Sequence, residues 1–241
     1  MRNLYPLSLF FLAGGSTFAE ETDNSFLQAS VALDRAMIPA LVATREGADR
    51  DTEGAVARLA EAWPVFHLGQ GEVLSKAGGW SLIQSGVTRR IEMAGKFAAS
   101  DDVEMAYILL SQVREDLIRI RKALNTEYFV DLLVVFQMAM DSKFGDENGR
   151  LAELDPETLI KEISDLMDDW KAIKNTGIDA EIYGFLWKDL SALDDLLQAE
   201  TEAISLLRRT AVSGNSDDLY YLAEAVRRGI FEVYLMFGAA E

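Results

Sequence analysis

The sequence contains no cysteine, and this absence excludes several kinds of chemistry at once. Disulfide bonds, thiolate nucleophiles, cysteine-ligated zinc, iron–sulfur clusters and covalently attached haem all need cysteine side chains. Stability must therefore come from burial of apolar side chains, and hydrophobic residues make up 49% of the 241 residues. A chain of this length can bury one large core or two smaller ones.

Histidine is almost absent too, since His67 is the only one. A helical di-iron or di-manganese site uses two Glu-x-x-His motifs, and the sequence has none. A serine hydrolase needs a base for its nucleophile, and the Gly-x-Ser-x-Gly motif is also missing. Phosphate loops and dinucleotide-binding motifs do not occur either. Acidic residues are abundant, but nothing marks a catalytic pair, so we expect a non-enzymatic protein.

Positive charge is scarce, with 23 Lys and Arg against 40 Asp and Glu and a net charge of −17. Nucleic-acid binding relies on Lys and Arg contacts to phosphate, so we expect no nucleic-acid partner. Residues 151–202 are the most acidic segment, with 14 Asp or Glu and 4 Lys. Such a segment forms either a solvated surface or a docking surface for a basic partner or a cation. We expect the partner to be another exported or membrane-complex protein, or a cation.

Long apolar runs are missing beyond the N-terminus, and the closest segment, residues 130–140, is too short to span a bilayer. The first residues combine Arg2, an apolar run over residues 4–13 and small residues before Ala19. This pattern predicts a secretory signal peptide over residues 1–19 that is cleaved after Ala19, and an uncleaved anchor is the alternative. We therefore expect a periplasmic or secreted mature chain without a transmembrane segment.

Helical periodicity is what the sequence has in abundance. Apolar residues recur at the spacing of one helix face, and alternating β-branched runs are missing. The pattern predicts an all-α helical bundle of about eight helices, at residues 25–45, 53–68, 79–98, 101–123, 126–143, 156–174, 179–212 and 216–237. Pro39 and Pro64 fall inside helical patterns, where we expect them to kink or end the helix.

The sequence also repeats itself. A shift of 107 residues maps Trp63 onto Trp170 and Trp80 onto Trp187, and it maps neighbouring apolar positions onto each other. The pattern predicts a duplicated four-helix unit, with a first repeat over residues 20–124 and a second over residues 125–241, packed as one compact unit. Only Asn125 and Thr126 separate the fourth and fifth helices. We expect those two helices to be nearly continuous, and a tight corner is the alternative.

The seam between the two repeats is the predicted site for a ligand or partner. The residues expected to shape it, or to fill the two cores instead, are Trp63, Trp80, Trp170 and Trp187. His67 joins this set, but the shift of 107 places Lys174 at its equivalent position. A cation near a helix C-terminus is favoured by the helix dipole, and this role would explain both residues without any ligand.

A metal or haem protein is the alternative function. His67 with methionines such as Met37 and Met138 would give a soft copper site, an iron site or the axial pair of a non-covalent b-type haem. Methionines in helices more often fill gaps in a core. Residues 49–54 imitate the start of a calcium loop, but Ala60 stands where the last ligand belongs. We interpret that segment as the acidic N-terminus of a helix.

Residues 113–140 resemble an uncharacterised group of exported bacterial all-helical proteins. The pattern of that group is V-R-x-x-L-x-x-x-R followed by Y-x-x-D-x-L-x-x-F-H-x-x-M, and Gln137 stands here where the group has histidine. The resemblance extends to residues 33–41, implies an exported helical fold and assigns no activity. The matching residues are Val113, Arg114, Leu117, Arg121, Tyr128, Asp131, Leu133, Phe136 and Met140.

Overall fold

The structure is a computed structural model that describes residues 24–46, 51–144, 154–214 and 218–238. The described residues form ten helices and no strand, which confirms the predicted all-α helical bundle. The helices are α1 (Asn24–Glu46), α2 (Thr52–Gly69), α3 (Gly71–Ser75), α4 (Trp80–Ala99), α5 (Val103–Ala123), α6 (Phe129–Phe144), α7 (Pro156–Asn175), α8 (Ala180–Tyr183), α9 (Trp187–Ser213) and α10 (Leu219–Met236). The predicted signal peptide lies outside the described residues.

Short acidic caps explain why several helices begin where they do. Asp51, Asp102 and Asp155 each precede a helix and accept a hydrogen bond from the backbone N–H three residues later. This contact satisfies one of the donors that a helix N-terminus leaves without a partner. The calcium-like segment, residues 49–54, therefore contains Asp51, the N-cap of α2, as we expected. Asp49 lies outside the described residues.

Neither Pro39 nor Pro64 ends its helix, so the kink expected there stays a prediction, whereas the near-continuous helix expected at Asn125 and Thr126 is wrong. The helices α1 and α2 continue through Pro39 and Pro64, because buried side chains on both sides of each proline hold the helix in its core. The connection between α5 and α6 is a tight corner and not a near-continuous helix. Asn125 adopts a left-handed conformation with φ of 53°, and the N–H of Thr126 donates to the carbonyl of Arg121. This arrangement is a Schellman motif, which ends a helix.

The main helices pack as two closed rings of four. In the first ring α1 contacts α2, α2 contacts α4, α4 contacts α5, and α5 returns to α1. In the second ring α6, α7, α9 and α10 contact one another in the same order. The short helices α3 and α8 occupy the same place in each ring, between the second and third long helices. We call the two rings the first and second bundle.

Equivalent positions in the two bundles agree with the predicted duplication but change part of its register. The four buried residues of α4 match four buried residues of α9 at a shift of 113 residues, namely Val87 with Glu200, Ile91 with Ile204, Ala94 with Leu207 and Ala98 with Ala211. Because α9 has 27 residues and α4 has 20, Trp187 lies in an N-terminal extension of α9. Trp80 therefore matches Leu193 and not Trp187. The duplication itself stays a prediction.

Helix α1 belongs to both cores. Phe26, Leu33 and Met37 pack in the first core, while Val31 and Ile38 pack in the second. By length and composition alone, Asn24–Arg45 is the one helix among the described residues that could cross a membrane or act as an export signal, and 61% of that stretch is buried inside the protein. An apolar helix near the N-terminus is thus compatible with export, and it also serves here as a core helix.

Candidate functional site

The two buried tryptophans lie in separate cores, and each donates a hydrogen bond to a threonine on the third long helix of its bundle. The indole Nε1 of Trp63 donates to Oγ1 of Thr88 at 2.9 Å, and that of Trp170 donates to Oγ1 of Thr201 at 3.0 Å. Each threonine hydroxyl donates in turn to a backbone carbonyl one turn earlier in its own helix. Both indoles are therefore core residues, and neither ring presents a surface to a ligand.

His67 lies half-buried at the C-terminal end of α2. Its Nδ1 is 3.0 Å from Nε2 of Gln84, and its ring lies 5.1 Å from the ring of Trp63. Partial burial lowers the pKa of His67 below its usual 6.5. In the second bundle Lys174 donates to Oε1 of Gln198 at 2.7 Å, so both residues link the second helix of a bundle to a glutamine on the third.

Trp80 and Trp187 differ sharply in exposure. Trp80 is half-buried and packs edge-on against Trp63, with 6.2 Å between ring centroids. Trp187 is 83% exposed and follows Leu186, which is 63% exposed. The structure therefore brings Trp63, His67 and Trp80 together, leaves Trp170 in the other core, and presents Trp187 to solvent.

The residues of the metal alternative do not form a visible cluster. Met37 is buried in the first core, whereas Met138 is 39% exposed on α6 in the second bundle. Among the described residues no group of three or more His, Cys, Asp or Glu side chains is arranged to hold a metal ion. Copper, iron or haem binding stays a prediction, which elemental analysis and a visible spectrum of the purified protein would test.

A groove of about 360 Å³ lies where α1, α2 and the end of α10 meet, at the seam between the bundles. Its walls are mainly aliphatic, with Ile38, Pro39, Val42 and Leu235 among the lining residues, and none of the four tryptophans lines it. Gly238 closes one side, because a Cβ there would lie 2.5 Å from a methyl carbon of Ile38. The groove has no charged pair other than Asp51 with Arg58 at its rim.

A second feature of the seam is a buried group of charged and phenolic side chains, which we call the seam cluster. Its members are Asp34, Arg114, Arg121, Tyr128, Asp131, Tyr183 and Tyr234. Arg121 binds both carboxylate oxygens of Asp131, through Nε at 2.7 Å and Nη2 at 2.6 Å. The guanidinium also lies 4.6 Å from the ring centre of Tyr128. Such a bidentate, stacked pair fixes the position of both partners.

Burial controls the ionisation of this cluster. It raises the pKa of Asp34 from 3.8 to about 6, against the opposing effect of Arg121. Burial alone would lower the pKa of Arg121, but Asp131, Asp34 and Tyr128 together outweigh burial and raise this pKa above its usual value. Burial also raises the pKa of Tyr128, Tyr183 and Tyr234, so all three phenols are neutral.

A second buried acid, Glu200, lies within the second bundle, on the core face of α9. Burial raises its pKa from 4.5 to about 9, with a smaller contribution from Glu232. Both carboxyl oxygens are buried without a hydrogen-bond partner in the described structure. The absence of a side chain at Gly229 on α10 makes room for the carboxyl, because a Cβ there would lie 2.0 Å from Oε2.

Asp34 and Glu200 were not among the predicted site residues, although the sequence carries a signal for both. Asp34 lies between Val31 and Ile38, at the spacing of one apolar helix face. Glu200 lies in the same way between Leu197 and Ile204 on α9. A charged residue inside an apolar stripe indicates either a buried ion pair or a neutralised acid.

The fold and these sites define an all-α bundle protein with an exposed aromatic corner and a charged seam. No protein-family model, curated protein or solved structure matches the chain. The resemblance of residues 113–140 therefore stays a prediction.

Proposed function

We propose that the chain is an exported, non-enzymatic helical protein that binds a basic partner protein. The observation that carries this proposal is the exposure of Leu186 and Trp187 where α8 turns into α9. Large apolar side chains exposed side by side favour an interaction surface, and tryptophan is the residue type most enriched at binding hot spots. We call these two residues and the exposed acids around them the Trp187 corner.

Local structure holds the Trp187 corner in one conformation. Gly184 ends α8 in a left-handed conformation with φ of 66°, and the side chain of Asp179 caps the start of α8. The backbone N–H of Leu186 donates to the carboxylate of Asp189 at 2.8 Å. An ordered corner loses little conformational freedom when a partner binds, and this favours affinity.

The negative charge around the Trp187 corner favours a basic partner. Residues 179–195 contain five acids and one lysine, and Asp179, Glu181, Asp194 and Asp195 are exposed. The start of α4 in the first bundle, around Trp80, offers a comparison, although Trp80 does not match Trp187 in register. There the tryptophan packs on Trp63, and residues 61–85 carry only two acids and one lysine beside His67. An apolar anchor with an acidic rim complements a basic partner.

The test places a photo-crosslinking residue at the exposed position of Lys188 and irradiates cells that express the protein. We expect crosslinks to one basic protein. With that partner purified, Trp187→Ala should weaken binding about 30-fold or more, as expected for a hot-spot tryptophan. The double variant Asp194→Asn/Asp195→Asn should weaken binding most at low salt, because exposed charges are screened by salt.

Tyr221→Ala is the matched control, because Tyr221 is an aromatic residue that is 72% exposed near the start of α10. It should leave binding unchanged. Crosslinks that persist with Trp187→Ala, or a partner that is not basic, would contradict the proposal.

A further inference from the structure

The seam cluster places two carboxyl groups beside one fully buried guanidinium. Asp131 occupies Nε and Nη2 of Arg121, and this leaves no bidentate partner for Asp34. Four buried polar atoms of the cluster have no hydrogen-bond partner in the described structure, namely Oδ2 of Asp34, Nε of Arg114, Nη1 of Arg121 and the hydroxyl of Tyr128. Asp34 is thus the group whose charge the seam compensates least.

The cluster also lies at residues 124–128, which connect the two bundles covalently in the part of the chain that the structure describes. Every element that meets Asp34 there contributes a charged or phenolic group. Arg114 and Arg121 come from α5, Tyr128 from the connection, Asp131 from α6, Tyr183 from α8 and Tyr234 from α10.

The other charged groups of α1 and α2 near the seam have contacts of their own, and on α1 these include Arg45, whose guanidinium lies 4.9 Å from the ring centre of Phe231. On α1 itself, Arg35 donates to the backbone carbonyl of Tyr183 at 2.9 Å. Helix α2 contributes the exposed Asp51–Arg58 pair, which lines the groove beside Pro39 and Val42, more than one turn along α1. None of these arginines is an ion-pair partner for Asp34, so its charge depends on the cluster alone.

We propose that Asp34 acts as a proton-operated lock between the two bundles, which is closed when the carboxyl is neutral and loosened when it is ionised. This inference does not depend on the proposed partner. An ionised carboxylate in the closed seam carries a net penalty, because the cost of burial exceeds the attraction of Arg121 and Arg114, whereas opening the seam exposes the charge to water. The neutral carboxyl carries no such penalty.

The expected size of the effect follows from proton linkage. The pKa of Asp34 is about 6 in the closed seam and 3.8 in water, so an opened seam releases the proton more readily. Raising the pH from 5 to 8 should then favour the open form about tenfold, with most of the change near pH 6.

Amide hydrogen exchange of the full chain tests the lock, because it measures local opening. After correction for the intrinsic pH dependence of exchange, peptides over residues 124–133 and 178–186 should show the tenfold increase in opening. A peptide over residues 82–92 in α4 reports on the first bundle, and its exchange should show no such increase in opening with pH. In Asp34→Asn the seam peptides should stay protected across the whole pH range.

Two further variants keep the test decisive. Asp116→Asn removes a buried carboxylate that pairs with Arg90 and Arg119 inside the first bundle, so the seam should keep its pH dependence. Asp131→Asn frees Arg121 to bind Asp34, so the closed seam should tolerate the ionised carboxylate and the increase in opening between pH 5 and 8 should become smaller than in the wild type. Seam exchange that is independent of pH in the wild type, or that is equally pH-dependent in Asp34→Asn, would overturn the proposal.

Discussion

The indole–threonine pair is the single-residue feature that the two bundles share most closely. In each bundle a threonine hydroxyl accepts from a buried indole N–H and donates to a carbonyl of its own helix. The hydroxyl therefore links two helices through one atom. A hydrogen bond of this kind contributes modestly by itself, but removing the acceptor leaves a buried donor without a partner, and that costs more.

Replacing either threonine with valine should destabilise the protein. Thr88→Val and Thr201→Val keep the shape of the side chain, yet each strands a buried indole N–H, so we expect a loss of about 1–3 kcal/mol in unfolding free energy. Urea denaturation measures this loss. Ser85→Ala is the control, since Ser85 makes the same bond to its own helix on the surface and receives no indole. If both threonine variants are as stable as the control, the indole–threonine hydrogen bonds do not contribute to the unfolding free energy.

His67 and its counterpart Lys174 make the same kind of contact in the two bundles. The contact of His67 with Gln84 resembles that of Lys174 with Gln198, and both tie the second helix of a bundle to the third. The helix-end interpretation suits the cation of Lys174, whereas the lowered pKa of His67 favours a neutral imidazole at the equivalent position. The structure adds the packing of the imidazole against Trp63, which a lysine cannot reproduce in the same form.

At the scale of helices, the corner between α5 and α6 depends on one residue in an unusual conformation. Asn125 has a positive φ of 53°, and Asp101 has the same kind of conformation, with φ of 62°, at the end of α4. Asparagine and aspartate tolerate the left-handed region better than other residues with a Cβ. The corner redirects the chain from the first bundle into the second.

Asn125→Ala should weaken this corner. Alanine in the left-handed region costs about 1–2 kcal/mol, whereas Asn125→Gly should be neutral or slightly stabilising because glycine has no Cβ. Thermal unfolding measures the difference, and Asp101→Ala and Asp101→Gly repeat the comparison at the end of α4. Lys122→Ala, an exposed change inside α5, is the control and should have little effect. An alanine variant as stable as the glycine variant at Asn125 would contradict this account.

The helices could be predicted from sequence because their signals are local. Apolar spacing and acidic caps such as Asp102 and Asp155 are visible within a few residues, and the helices begin there. The corner at Asn125 was missed because neither glycine nor proline marks it. The short helix α8 was missed because its residues continue the helical pattern of α9, and residues 184–186, which separate the two, carry Gly184 as their one helix-ending signal.

At the scale of the whole molecule, the seam could not be predicted in detail from the sequence. Asp34 and Tyr183 are far apart in the chain, and only the docking of the bundles brings them together. The aromatic residues expected to shape the seam fill separate cores or face solvent instead. The seam is formed by arginines, tyrosines and acids, and Arg121, Tyr128 and Asp131 belong to the stretch that carries the family resemblance.

Glu200 makes the stability of the whole molecule depend on pH in an unusual direction. Its folded pKa of about 9 lies above the 4.5 of an exposed glutamate, so the folded state binds a proton that the unfolded state releases. Its contribution to stability is therefore complete below about pH 4.5 and is lost as the pH rises towards 9. Asp34 acts in the same direction between pH 3.8 and about 6. His67 acts in the opposite direction, because its pKa is lowered and protonation below pH 6.5 favours unfolding.

These windows separate the three groups, since between pH 7 and 9 only Glu200 changes its charge. Over that range the unfolding free energy should fall by up to about 1.4 kcal/mol per pH unit, as measured by urea denaturation at several pH values. Glu200→Gln keeps the shape without the titration and should remove this slope. Asp34→Asn is the matched control, because it should keep the slope above pH 7 and remove pH dependence only between pH 3.8 and about 6. Glu200→Leu should be more stable than the wild type at pH 8, since leucine suits this core position as Val87 does in the first bundle. If the slope above pH 7 survives in Glu200→Gln, the carboxyl of Glu200 is not the buried neutral acid that the structure describes.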